Sequence, residues 1–221
     1  MIPARPEPLS TVSRQIAGLY AITPDEADTE ILERKVRQAL SGGARIVQYR
    51  NKSADAALKR KQSERLLALC RAAGVPLIVN DDLELAVAID ADGVHLGRGD
   101  GGLAEARAKL GARMLLGVSC YDRIELAVSA RQQGADYVAF GTAFPSSTKP
   151  AAVGAPPALY GEAKMRIDLP IVAIGGLTPD NAHTVIEAGA DAIAVISALF
   201  DAPDVAAAAR KFRRLFQRKN P

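Results

Sequence analysis

Eight short apolar runs, a helix-patterned segment after each, and a chain of 221 residues together predict an α/β protein of the (β/α)8 TIM-barrel class, in a single domain. The runs are GLYAIT (18–23), ARIVQY (44–49), PLIVN (76–80), GVHL (93–96), MLLGVS (114–119), DYVAFG (136–141), PIVAIG (170–175) and AIAVIS (192–197). They are near-continuous in Val, Ile, Leu and Ala, the pattern of strands covered on both faces. The segments between them, such as DAALKRKQSERLLALCRAAG (55–74) and RIELAVSARQQG (123–134), carry apolar residues at helical spacing. Gly74, Gly134 and Gly189 stand where helices should end. A helix after every strand implies parallel strands; periodicity alone does not distinguish a closed barrel from a doubly wound open sheet.

Composition narrows the function. A hydrophobic fraction of 48% supplies a large buried core, and 24% charged residues is ordinary for a soluble domain. Net charge is only +3 and aromatics are 5%, so neither a nucleic-acid surface nor a base-stacking platform is expected. The basic run RKFRRLFQRK (210–219) fits the outer face of a last helix with Phe212, Leu215 and Phe216 turned inward. Cys70 and Cys120 lack metal or redox spacing, which suits a reduced, cytoplasmic setting. Residues 1–17, with three prolines, are expected to form an N-terminal arm, and residues 18–221 the barrel. No apolar stretch is long enough for a membrane span. The sequence leaves oligomeric state open, a homo-oligomer included.

In a barrel, reactive groups gather at the carboxyl ends of the strands. Here the residues just past each run are polar. Thr23 follows strand 1; Gln48, Arg50 and Lys52 end strand 2; Asn80, Asp81 and Asp82 end strand 3. His95 and then GRGDGG with Asp100 follow strand 4, Ser119 ends strand 5, and GTAFPSSTK with Thr148 and Lys149 follows strand 6. Gly175 and Gly176 follow strand 7, and Ser197 follows strand 8. The amino ends offer mostly Gly, Pro, Ala and an occasional Asp.

The chemistry of these groups suits an anion. Gln48, Arg50 and Lys52, spaced two apart, share one face of an extended chain. Arg50 supplies a fork and Lys52 and Lys149 supply point charges, enough for a pyrophosphate rather than a single phosphate. Asp81 and Asp100 suit Mg2+, which takes one or two protein carboxylates and completes its shell with water and phosphate. Asp82 is assigned instead to the N-cap of the following helix. The glycine pair and Ser197 occupy the usual phosphate position of such barrels, although a simple turn explains the glycines equally well. Ser146, Ser147, Thr148 and Lys149 open the longest break between strands, which has the composition of a binding loop or lid. His95 is expected to fill space or bond a neighbour, His183 to be solvated, and Cys120 to be no nucleophile, since no His accompanies it.

Taken in order, QYRNK, LIVNDD, DGVHLGRGD, DYVAFGTAFPSSTK, PIVAIGG and AVIS resemble the thiamine phosphate synthase family, from about Gly18 to Phe200. The resemblance implies a TIM barrel that joins a pyrimidine methyl pyrophosphate to a thiazole phosphate with Mg2+. It implies that Gln48, Tyr49, Arg50, Asn51, Lys52, Asn80 and Ser119 bind the pyrimidine substrate and that Asp81 and Asp100 hold the metal. Ser146, Ser147 and Thr148 would hold the thiazole phosphate, Lys149 would reach the pyrophosphate, and Gly176, Ile196 and Ser197 would contact phosphate. Arg50, Lys52, Lys149 and Ser119 would carry the catalysis. The chain departs from the family's habit at Arg98, often Gln, and at Ser146, often Thr. A thiazole tautomerase of the same fold, or a non-catalytic thiazole-phosphate-binding barrel, is the alternative.

Overall fold

A computed structural model describes residues 16–97, 102–145 and 154–217. Eight parallel strands close into a barrel in sequential order, β1-β2-β3-β4-β5-β6-β7-β8, with β1 paired to β8. They are β1 (Gly18–Ile22), β2 (Ile46–Tyr49), β3 (Leu77–Asn80), β4 (Gly93–Leu96), β5 (Leu115–Tyr121), β6 (Tyr137–Phe140), β7 (Ile171–Ile174) and β8 (Ala192–Val195). Seven of the eight apolar runs contain their strand whole, and β5 begins inside its run and extends two residues past it, to Tyr121. The helices are α1 (Thr29–Gly42), α2 (Ala56–Ala72), α3 (Leu83–Ala88), α4 (Leu103–Leu110), α5 (Ile124–Gln132), α6 (Pro157–Arg166), α7 (Ala182–Glu187), α8 (Ser197–Phe200) and α9 (Val205–Gln217).

Strand alternation divides the apolar residues into two layers. Tyr20, Ile22, Ile46, Ile78, Leu115, Tyr137, Val172 and Ala194 point into the lumen and fill it. Leu19, Val47, Val79, Val94, Leu116 and Val138 point outward, under the helices. Lumen volume is balanced by size: Tyr20 lies level with Ala194, and Tyr137 with Gly117. Ile16 is fully buried with the lumen group, so the barrel's own packing begins two residues before the expected barrel start at 18.

Local signals set the helix ends. Asp28 Oδ1 accepts from the Glu30 and Ile31 amides at 2.8 and 3.1 Å, Asp55 caps α2 through Leu58, and Asp82 caps α3 through Leu85 at 2.9 Å. Gly74, Gly134 and Gly189 follow α2, α5 and α7, each at positive φ, as the sequence predicts. The last helix, α9, buries Phe212, partly buries Leu215 and Phe216, and crosses α1 where Gly42 meets Ala209. His183 is exposed on α7.

Candidate active site

Thr23, just past β1, is the first fixed point. Its hydroxyl accepts from the Arg50 amide and donates to the Arg50 carbonyl, both at 2.8 Å, so one buried side chain clamps the backbone where β2 ends. Asp25 does the same two residues further along. Its Oδ1 accepts from the Lys52 amide at 2.7 Å and from Arg50 Nη1 at 3.1 Å. The Arg50 side chain is thereby held at the mouth, 17% exposed, with its cation facing a carboxylate that is itself 42% exposed. Sequence reading passed over Asp25. The signal was present in TPDEAD, an acidic turn at the carboxyl end of a strand.

Alternation separates the β2 residues. Gln48 points into the lumen, where its Nε2 donates to Tyr20 Oη at 2.9 Å. Tyr49 lies in the outer layer, and its hydroxyl donates to Gln62 Oε1 on α2 at 2.9 Å. Burial, with Asp25 adding to it, pushes the Tyr49 phenol well above its ordinary range and keeps it a neutral donor. Asn51 also turns inward to the protein, giving its Nδ2 to Glu26 O at 2.7 Å and to Gln62 Oε1 at 3.0 Å. Tyr49 and Asn51 thus lie on the opposite side of the chain from Gln48. The side chains of Tyr49 and Asn51 anchor the segment to α2, and Gln48, Arg50 and Lys52 are left to face the mouth.

Asn80 and Asp81 close β3. Asn80 continues the inward parity of Ile78. Asp81 sits at φ 61°, a left-handed conformation that Asp tolerates better than most residues, and its amide donates to His95 O at 2.9 Å. Its carboxylate stands 4.0 Å from Lys52 Nζ, with the two side chains 37% and 59% exposed. A pair so open to water contributes little to stability. A cavity of about 460 Å³ opens beside them toward α3 and α4, its lining including Tyr49, Asn51, Lys52, Asp81, Glu84 and Lys109.

Across the mouth, Ser119 faces inward from β5 and its Oγ lies 2.9 Å from His95 Nε2. His95 bonds neighbours, as expected. Gly175 and Gly176 are both left-handed, and a Cβ on either would strike the loop after β6: Thr142 Cγ2 at 2.6 Å, or the Phe144 and Pro145 carbonyls at 2.5 Å. Close loop packing thus demands these glycines on its own account. Ile196 packs against the lumen group and Ser197 begins α8. Cys70 and Cys120 are free and buried, with burial pushing each thiol up to about 12, so neither supplies a thiolate. Asp100, Arg98, Ser146, Ser147, Thr148 and Lys149 lie outside the described residues. Among the described residues no group of three or more His, Cys, Asp or Glu is placed to hold a metal ion. A single carboxylate, Asp81, is nevertheless the donor set that Mg2+ accepts when phosphate and water complete its shell.

A closed parallel barrel with a guanidinium, an ammonium, amides, a hydroxyl and a carboxylate at its carboxyl end has the layout of a TIM-barrel enzyme. The family model described as thiamine monophosphate synthase matches residues 19–199, and the chain belongs to this enzyme family. A thiamine-phosphate synthase of Aromatoleum aromaticum is 55% identical over 202 residues, covering 91% of this chain and 97% of its own length. One of Thiobacillus denitrificans is 56% identical over 199 residues, covering 90% and 94%. Among solved structures, a thiamine phosphate pyrophosphorylase from Pyrococcus furiosus superposes with a TM-score of 0.84 at 33% identity, covering 95% of this chain and all of its own.

Proposed function

We propose that this protein condenses a pyrimidine methyl pyrophosphate with a thiazole phosphate to give thiamine phosphate and pyrophosphate. The observation that carries the proposal is the convergence of Gln48, Arg50, Lys52, Asn80, Asp81 and Ser119 at one mouth, in a chain whose relatives bear that activity's name. In the reaction the bond between the pyrimidine methylene carbon and the pyrophosphate oxygen breaks, and its electron pair leaves with the pyrophosphate. The thiazole nitrogen then gives its lone pair to the methylene carbon, forming the new C–N bond.

The protein's contribution is electrostatic and positional. Arg50 and Lys52 stabilise the negative charge that builds on the departing group, in a place fixed beforehand by Thr23 and Asp25. Gln48, Asn80 and Ser119 orient the pyrimidine. Asp81, with Asp100, would hold Mg2+, which when bound supplies a Lewis-acid charge to the pyrophosphate oxygens. Lys149 adds a further cation from the loop after β6, and Ser146, Ser147, Thr148, Gly176, Ile196 and Ser197 hold the thiazole phosphate. No nucleophilic side chain is needed. We place the reaction in the cytoplasm, consistent with two free buried thiols.

Purified protein incubated with both substrates and Mg2+ tests this. Thiamine phosphate and pyrophosphate should form in equal amounts. Tight binding of one substrate with no product would instead make the protein a binding module, and turnover of the thiazole phosphate alone would make it a tautomerase.

A further inference from the structure

Beneath the mouth, five polar side chains form an unbroken row across the lumen. Gln48 Nε2 meets Tyr20 Oη at 2.9 Å, Tyr20 Oη meets Tyr137 Oη at 2.8 Å, and Tyr137 Oη meets His95 Nδ1 at 3.1 Å. The row ends with His95 Nε2 at 2.9 Å from Ser119 Oγ. Its two ends, Gln48 and Ser119, are groups that face substrate in the function proposed above; the three between them are not. Tyr20 and Tyr137 are buried, His95 nearly so.

The row has a direction. The amide nitrogen of Gln48 only donates, so the Tyr20 oxygen accepts there, and the arrangement that leaves neither buried phenol hydrogen without an acceptor has Tyr20 donating to Tyr137. Tyr137 then gives its hydrogen to Nδ1 of His95. An imidazole that accepts at Nδ1 carries its proton on Nε2 and donates it to Ser119. The Ser119 hydroxyl hydrogen is then released from His95 and can be given to a substrate atom at the mouth. Desolvation pushes both phenols far above tyrosine's ordinary range, so each keeps the single hydrogen the row requires. The sequence makes room for it at Gly117, which lies level with both His95 and Tyr137. A Cβ there would stand 2.3 Å from Tyr137 Oη and 2.6 Å from His95 Nδ1.

We propose that His95 is a positioning residue for the reaction: through Tyr137 and Tyr20 it couples Ser119 to Gln48, and it fixes Ser119 as a hydrogen-bond donor to the pyrimidine substrate. This rests on the function proposed above. Two amide substitutions separate the role from simple space filling. The Gln nitrogen in His95→Gln reaches the place of Nε2 and still donates to Ser119, whereas the Asn amide in His95→Asn reaches only the place of Nδ1.

The experiment is steady-state kinetics of thiamine phosphate formation, with thermal melting to follow folding. His95→Asn should lower kcat/KM for the pyrimidine substrate about tenfold, the effect of one lost hydrogen bond of about 1.4 kcal/mol, and leave KM for the thiazole phosphate unchanged. His95→Gln should stay within about threefold of the unaltered enzyme. Added to Ser119→Ala, His95→Asn should cost no more than about twofold further, because the partner it positions is gone. Tyr137→Phe keeps the ring and removes only the hydroxyl. It should show the same non-additivity, and it serves if His95→Asn fails to fold. Equal losses in His95→Gln and His95→Asn, losses that multiply on the Ser119→Ala background, or no loss at all would overturn the role. An unaltered protein that makes no thiamine phosphate would refute the proposed function and this role with it. An active protein with the contrary variant pattern would refute the role alone.

Discussion

Asp92, Asp136 and Asp191 stand at the amino ends of β4, β6 and β8; Asp25 and Asp81 stand at the carboxyl ends of β1 and β3. The same side chain is used in two ways. Each amino-end aspartate reaches the strand before its own and accepts a backbone N–H there: Leu77 at 2.8 Å, Leu116 at 2.7 Å and Ile171 at 2.7 Å. Two of them also hold a cation, Asp136 with Arg107 at 2.8 Å and Asp191 with Lys164 at 2.6 Å. These carboxylates are consumed by the sheet. At the mouth, Asp81 instead faces Lys52 across 4.0 Å, in a pair that a ligand can rearrange, while Asp25 does both, accepting from the Lys52 amide and from Arg50 Nη1. An aspartate satisfied by the barrel's own backbone positions the chain, and one that faces only an exposed cation at the mouth is placed to meet a ligand.

Substitutions at the two ends should therefore fail differently. The largest effect belongs to Arg50→Ala, which removes a placed charge from the leaving group; thiamine phosphate formation should fall about a thousandfold with an unchanged melting temperature. A loss of rate accompanied by a matching loss of stability would erase the distinction between the ends. Next comes Asp136→Ala. It orphans the Leu116 amide and takes the carboxylate from Arg107, 13% exposed, whose guanidinium keeps only its carbonyl partners at Gly111, Met114 and Gly134, and should cost about 3 kcal/mol in denaturant unfolding while the folded protein keeps its rate.

Gly93→Ala sharpens the picture of the amino end. A Cβ there would lie 2.5 Å from the Leu115 carbonyl oxygen and 2.7 Å from its Cβ, which should destabilise by about 2 kcal/mol in the same assay. At the mouth, neighbouring aspartates divide the roles. Asp82→Ala should lose about 1 kcal/mol of stability with its cap and little activity, whereas Asp81→Asn should lose activity and little stability.

The smallest effect is a pH dependence on the outer layer. A hydrogen bond from Arg131 holds the Asp168 carboxyl below the usual carboxylate range. Its contribution is present above the unfolded value of about 3.9 and is lost as pH falls through the lower folded value. Arg131→Ala should shift the acid-unfolding midpoint slightly upward, measured by circular dichroism, and leave stability nearly unchanged once the pH lies below the folded value.

The strands were legible because burial on both faces forces unbroken apolar runs, and all eight start inside the segments that show them, with only β5 running past its end. The Asp82 cap and the glycines after α2, α5 and α7 were legible because helix ends impose local demands. Contacts that depended on distant partners were not. Tyr20 and Tyr137 are 117 residues apart, and nothing in either neighbourhood announces that their hydroxyls meet. Alternation itself sends Tyr49 to the outer face, but that Gln62 meets it there depends on a residue 13 positions further along the chain. The occasional aspartates before strands carried a signal that only the register explains, since each bonds the neighbouring strand rather than its own.

The central claim is that the mouth, and not the amino end, holds a pyrophosphate with its metal. Calorimetric titration of Mg2+ and pyrophosphate into the unaltered protein, Arg50→Ala, Asp81→Asn and Asp92→Ala measures it directly. One-to-one binding that weakens at least tenfold in Arg50→Ala and Asp81→Asn but persists in Asp92→Ala is the predicted result. Equal affinity in all four proteins, or no binding to the unaltered one, would contradict it.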